Sequence, residues 1–379
     1  RVIIEVLLIL MFLTFLPNLN TLTVIQAQTH NTAGYVKYTL VLYNNTLLPG
    51  NVAVKVNYPS PKGIAYDPSN GYLYIASCTT PGYVYVINSQ NNEVVTKIQV
   101  GDHPYGVAYD PSNGYIYVTN AYSNTVSVIN PSTNQVVANI SVGSNPLGIT
   151  YDPSNGYVYV VNRFSNTISV INPSTNQVIT TISDVNDIWP WCIAYDPSNG
   201  YLYVTAYNSS SVSVINPSTN QVVANIPVGD NPLGVTYING YIYVVNAGSN
   251  SVSVINPTTG KVVGTVQNVG EGPTRAVNDP SNGYIYVANY GSNFVSVINP
   301  STDQVIANIS VGSGSSYIFY DPSNGYIYVT HPLAGTVSII ATNSTTTTTT
   351  TPSSKGFPLI YIIVVVAVVV AIIGVVLIL

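Results

Sequence analysis

The chain is 379 residues long, enough for one large domain or two of ordinary size. Only 6% of its residues are charged, against roughly 25% in an average soluble protein. Nine Lys and Arg stand against fourteen Asp and Glu, giving a net charge of −5 and no basic footprint for nucleic acid.

Residues 1–27 begin with an apolar run, VIIEVLLILMFLTFL, behind Arg1 and end on VIQA. The pattern reads as a secretory signal peptide cleaved after Ala27, or as an N-terminal apolar anchor. Residues 28–50 form a lead-in. Within it YVKYTLVLYNN (35–45) alternates as an extra strand, and TLLPG turns into the next segment.

From there one phrase dominates. YDPSNGYIYVTN occupies 109–120, and near copies begin at residues 66, 151, 195, 237, 278 and 320, about 42 residues apart. A period of that size without helical patterning predicts a β-propeller, one four-stranded blade per repeat. In the repeat starting at Gly106, GVAYD is a strand small enough for a crowded centre, and GYIYVTN and NTVSVIN alternate with both faces packed. QVVANISVG places Val136, Ala138, Ile140 and Val142 on one side and Asn139 and Ser141 on the other, as a half-exposed outer strand would. We call these strands A to D. DPSNG joins A to B and NPSTN joins C to D. Asp or Asn bonds the downstream backbone, Pro presets φ, and Asn-Gly supplies positive φ. Gly260 stands where other repeats have Asn134, Asn176 or Asn220, an exchange that argues for turn geometry. In the fifth repeat YINGY (237–241) loses Asp, Pro and Ser yet keeps Asn239-Gly240, so the phrase reads as a hairpin signature and not as a binding site.

The A–B turn occurs seven times and the C–D turn six times, so the last repeat lacks its own D strand. Residues 51–58, upstream of the first A strand, are expected to pair outside 335–342 and close the ring, removing its open edges. The expectation is therefore an all-β, single seven-bladed β-propeller with four-stranded blades over residues 51–342. Cys78 and Cys192 fall at non-equivalent points of the first and fourth repeats and are expected to be free thiols.

Residues 343–357 form a Thr- and Ser-rich stalk that cannot bury a core. Residues 358–379 carry no charge, and as a helix they span a ~30 Å hydrocarbon core, predicting a single transmembrane helix. Sequons at Asn44, Asn139, Asn208, Asn308 and Asn343 are glycosylation candidates. Together these features place the propeller on the extracellular face of the cell membrane, single-pass anchored.

The repeats YDPSNGYIYV and VSVINPSTNQVV, with YVTN at 117–120 and YVVN at 159–162 and 243–246, resemble the YVTN-family β-propeller repeats of archaeal surface-layer and related cell-surface proteins. The resemblance covers about residues 51–342. It implies the propeller fold and a surface location. Similar propellers include bacterial lactonases, streptogramin lyases and quinoprotein dehydrogenases, so fold alone leaves function open.

In such a ring the D–A and B–C loops share the face around the channel mouth, and here they vary most. The D–A loops supply Asp102, His103, Trp189, Trp191, Glu271 and Arg275. The B–C loops supply Arg163, Phe164, Tyr207, Tyr290 and His331. Three readings compete for that mouth. Trp and Tyr can stack on a surface glycan or peptide, or simply cap the channel. His103 and Glu271 could act as an acid–base pair of a lyase or lactonase. Low charge, uniform blades, stalk and anchor suit a structural or adhesive module on a surface layer that meets glycans or other surface proteins. That last reading is preferred, with no cofactor, no metal and no catalytic residue assigned.

Overall fold

The computed structural model describes residues 58–183 and 189–342 in full, together with the backbone strands β1 (Thr23–Asn31), β2 (Gly34–Tyr43) and β3 (Thr46–Val54). The apolar run at 1–22, the stalk and the terminal apolar segment lie outside the described residues. β1 runs through Ala27, so cleavage there would divide that strand.

The described residues contain no helix and form seven antiparallel sheets, which are the blades of a propeller. Blade two shows the plan. Strand A is Pro104–Asp110, B is Tyr115–Asn120, C is Thr125–Asn130 and D is Gln135–Ser141. The A strands touch one another around the ring, that of blade seven closing on that of blade one, so they surround the axis. Strands B and C are buried on both faces, and D alternates exposed and covered residues. Seven hydrophobic clusters fill the seven seams between neighbouring blades. The seam between blades one and two, for example, joins Tyr74, Val84 and Val86 to Val107, Ile116 and Val118.

Each letter of the repeat has a physical task. Asp110 is fully buried at the A–B turn, and its Oδ1 accepts bonds from the Ser112 amide (2.8 Å) and hydroxyl (2.7 Å). Asn113 accepts from the Tyr115 amide (2.8 Å), while its own amide donates to the buried Tyr117 hydroxyl (3.0 Å). Thr119 accepts from Gly106 N–H and donates across the seam to the Leu147 carbonyl (2.9 Å). Asn120, fully buried, donates to Thr125 Oγ1 (3.1 Å) and Ser127 Oγ (2.9 Å) and clasps B to C. Such bonds satisfy polar groups that burial would otherwise leave costly.

The turns differ from expectation in one respect. In the five-residue turns only the glycine takes positive φ, as Gly114 does at 75°, because Asn113 is used for side-chain bonds. Both Asn239 (48°) and Gly240 (90°) are left-handed only in blade five, where the shorter loop makes a two-residue hairpin. In the C–D turns Asn134 (54°) and Gly260 (63°) share the left-handed conformation, as their exchange implied.

The repeated Asp also serves the seam. Burial, then the carboxylates of Asp67 and Asp110, push the Tyr109 phenol up, so Tyr109 of blade two lies against Asp67 of blade one. Tyr320 stands in the same relation to Asp279 of the blade before it. Between blades five and six both partners are lost together, Asp becoming Ile238 and Tyr becoming Asn278. The phrase is thus more than a hairpin signature.

Closure uses the expected segment, but the strand begins earlier, at Thr46, so TLLPG belongs to it and is not a turn. β3 pairs antiparallel with the C strand of blade seven, Thr336–Ala341, in the register Asn51↔Ile340 to Val54↔Val337. Tyr58 N–H extends the latch to the Gly335 carbonyl (3.1 Å). β2 pairs outside β3 and β1 outside β2, making this sheet six-stranded. At the opposite rim Asn324 donates to the Ser89 carbonyl (3.0 Å) and Tyr328 to Asn92 (2.9 Å). Both cysteines are free, Cys192 buried and Cys78 half-buried.

Deleting residues 23–54 should lower the melting temperature and cause concentration-dependent aggregation, read by calorimetry and light scattering, because the last C strand becomes an open edge. In denaturant titrations Tyr109→Phe should cost ~1 kcal/mol and show a coupling of similar size with Asp67→Ala in a double-mutant cycle.

Candidate functional site

Backbone hydrogen bonds bring the D–A and B–C loops together on one face. Tyr122 N–H donates to Asp102 O (3.2 Å), Arg163 N–H to Asn145 O (3.0 Å), Tyr207 N–H to Trp189 O (3.1 Å) and Tyr290 N–H to Gly272 O (2.9 Å). Residues 184–188 of the fourth D–A loop lie outside the described residues.

Five of the expected mouth residues form one cluster. The Arg163 guanidinium sits 4.5 Å from the Trp189 ring centre, 4.6 Å from that of Trp191 and 5.2 Å from that of Phe164. Tyr207 stacks near Trp189 (6.4 Å) and lies tilted against Trp191 (5.7 Å). Burial lowers the Arg163 pKa, and its Nε is enclosed without a hydrogen-bond partner. Cation–π contacts of this kind are worth ~0.5–2 kcal/mol each. The cluster faces solvent: Phe164 is 56% exposed, Trp189 36%, and Tyr122 on the adjoining blade 67%.

The backbone adds a second signal. The residue before the proline that opens strand A is left-handed in six blades, at Ser60, His103, Asn145, Trp189, Asn231 and Gly272, and Gly314 holds the equivalent place in blade seven. Asn and Gly suit that conformation. Trp189 (φ 68°) does not, and a bulky residue held there carries strain of ~1–3 kcal/mol.

The other expected residues lie apart from the cluster. His103 stacks on Tyr122 (3.8 Å) and its Nδ1 meets Thr80 Oγ1 (3.1 Å). Asp102 is held through its backbone N–H by Ser123 Oγ (2.7 Å). Glu271 and Tyr290 are exposed on blade six. His331 is fully buried, bonded to Ser338 Oγ (2.8 Å) and near Ser315 Oγ (3.4 Å), in the position that Asn120 occupies in blade two. It is a clasp and not a mouth residue. Arg275 also leaves the mouth, standing in strand A of blade six, Pro273–Asn278, and reaching the axis. Among the sequons, Asn139, Asn208 and Asn308 are exposed, Asn139 also accepting from Ser127, while Asn44 and Asn343 lie outside the described residues. Among the described residues no three His, Cys, Asp or Glu side chains converge as metal ligands.

Below the mouth is a group that loop variability did not reveal. The third position of strand A in blades one to six is glycine in four (Gly63, Gly106, Gly148, Gly234) but Cys192 and Arg275 in two, and its equivalent in blade seven is Tyr317. A Cβ on Gly234 would fall 2.5 Å from the Thr274 carbonyl, which explains the glycine, and its smallness leaves Arg275 room to reach Cys192 Sγ from two blades away. Arg275 also lies 4.7 Å over the Tyr317 ring. At position two, Lys62 bonds Ser316 (3.3 Å) and lies 5.5 Å from the Tyr105 ring centre, and Tyr105 meets Trp191 edge-on (6.2 Å). Burial pushes Tyr105 and Tyr317 up, Arg275 pulling both back. These residues come from blades one, two, four, six and seven and meet only at the axis. The telling signal was available in the sequence: Cys192, Arg275 and Tyr317 interrupting a column of glycines. A groove of about 640 Å³ on the outer rim, between Thr180–Ser183 and Thr219–Asn225, holds no charged side chain.

This architecture is a seven-bladed β-propeller with an aromatic and cationic mouth over an axis lined by the half-buried Lys62, Tyr105, Arg275 and Tyr317. A family model for a YNCE-like beta-propeller matches residues 110–211. Among solved structures the chain is similar to Kuenenia stuttgartiensis hydrazine synthase, with 23% identity, 76% of this chain and 97% of that chain covered, and a TM-score of 0.68. It is also similar to a catalytically inactive virginiamycin B lyase from Staphylococcus aureus with quinupristin (16%, 77% and 98% covered, TM-score 0.66). A streptogramin B lyase structure matches at 15% identity, with 77% and 97% covered and a TM-score of 0.65. At these identities the likeness is one of fold. No curated protein matches the sequence.

His331 gives a pH prediction. Burial lowers its pKa from 6.5 to about 4, so between those values the unfolded chain binds more protons. The stability present above pH 6.5 is lost as the pH falls towards 4, by up to ~3 kcal/mol. His331→Asn restores the clasp of the other blades. In pH-dependent denaturation it should remain folded and lose this part of the acid-side decline.

Proposed function

We propose that the chain is a non-catalytic recognition module of the cell surface, carried on its stalk and terminal apolar segment, and that the mouth cluster is its binding surface. The observation carrying this reading is the cluster itself. Trp189 is held in a left-handed conformation, packed against Arg163 and Tyr207, and still 36% exposed to solvent. A strained and exposed tryptophan on a rigid scaffold favours ligand contact over packing. Indole and phenol faces with neighbouring Asn hydroxyl-binding groups suit the sugar rings of surface glycans. The surface-layer association and archaeal-type resemblance of the repeats belong to the same proposal. The competing reading, a lyase- or lactonase-like enzyme at the mouth, needs an acid–base pair. His103, its best histidine, is engaged by Thr80 and Tyr122.

Glycan-array binding by the full chain tests the reading. Wild type should bind a restricted set of glycans, and Trp189→Asn should abolish that binding while keeping or raising the melting temperature, since Asn suits the left-handed position. Unchanged binding in the variant, or no binding by wild type, would reject the mouth as a glycan surface.

A further inference from the structure

The chain has nine Lys and Arg in all, yet Lys62, Arg163 and Arg275 gather around the single ring of Tyr105. Lys62 lies 5.5 Å from that ring centre, and Trp191, edge-on to Tyr105 at 6.2 Å, carries Arg163 on its face at 4.6 Å. Arg275, whose charge also acts on the Tyr105 phenol, is seated over Tyr317 and against Cys192. The groups facing these cations are Tyr105, Tyr207, Tyr317, Cys78, Cys192 and Ser316, with no carboxylate among the described residues. Elsewhere the fold treats buried charge differently: each repeated Asp is tied to its own turn by two hydrogen bonds.

Like charges brought together out of water repel one another and lose hydration, which is costly unless a counter-charge joins them. Tyrosine and tryptophan faces moderate that cost without neutralising it. We propose that the axial channel is an oxyanion site, in which Lys62 and Arg275 hold the carboxylate, sulfate or phosphate of a small acidic ligand entering past Arg163. Arg275 presents a planar fork of donors, and Lys62 a point charge fixed by Ser316, a pairing suited to one oxyanion approached from two sides. Tyr105 and Tyr317 supply neutral hydroxyls and apolar walls for the rest of the ligand. Such a site can exist whether or not the mouth above it takes a glycan.

Calorimetric titration of the purified full chain with sodium sulfate, sodium phosphate and sodium glucuronate, at ionic strength matched with sodium chloride, tests the site. At least one should bind saturably: glucuronate binding marks an acidic sugar as the source, and binding by sulfate or phosphate alone marks an inorganic oxyanion. Lys62→Met and Arg275→Met should each weaken binding by at least about tenfold, the loss of one charged hydrogen bond. Lys62→Met without ligand should melt at or above the wild-type temperature, because an uncompensated cation has been removed. Trp189→Asn should leave the titration unchanged, separating failure of this site from failure of the mouth reading. No saturable binding of any of the three anions by wild type would overturn the proposal. So would wild-type affinity in Lys62→Met, or a fall in its ligand-free melting temperature, and this variant decides the matter should Arg275→Met fail to fold.

Discussion

Ring closure is the constraint on which everything else in this molecule depends. A blade is a twisted sheet with two apolar faces, and it is stable only between two neighbours. Six of the seven seams could form along an open arc. The last, joining Tyr58, Ile64 and Leu73 to Tyr328, Val337 and Ile339, exists only when the chain's two ends meet. The pairing of β3 with the final C strand fixes that meeting in register. It also completes the axial site, because Lys62 and Ser316 come from blades one and seven, which only a closed ring brings together.

The repeat and its departures play complementary roles. Where the blades agree, side chains satisfy backbone or one another: Asp with Ser, Asn with Tyr, Thr with the neighbouring carbonyl, Asn with Ser. Where they disagree, local rules are broken. Trp189 occupies a left-handed position that Asn or Gly fills in four other blades. Arg275, Cys192 and Tyr317 interrupt a column of glycines. Departures of this kind, not the recurring phrase, mark where the molecule spends stability on something other than its fold.

Much of the architecture was legible in the sequence because the repeat multiplies every weak signal by seven. The blade count, the strand order, the missing D strand and the closing segment all follow from counting turns. The pairing of β1 outside β2 was not legible, since a lone alternating segment does not reveal its neighbour. Loop variability singled out Arg163, Phe164, Trp189, Trp191 and Tyr207, which the fold places side by side. The same criterion misplaced His331 and Arg275, because a residue at a loop's edge can point into the seam or the axis, and sequence position does not say which. Lys62, Tyr105 and Tyr317 escaped it altogether, since they stand within regular strands.

The seam between blades five and six carries a further consequence. It is the junction where the Tyr–Asp contact is replaced by Ile238 and Asn278, beside apolar packing and the approach of Asp303 to Tyr243. Blade five also has the shortest inner hairpin of the seven. The ring is therefore not equally tough around its circumference. The seam without that contact lies on the covalently continuous side of the ring, two seams away from the latch, so whatever the Tyr–Asp pair adds to the other junctions is withheld where the chain itself still ties neighbouring blades together.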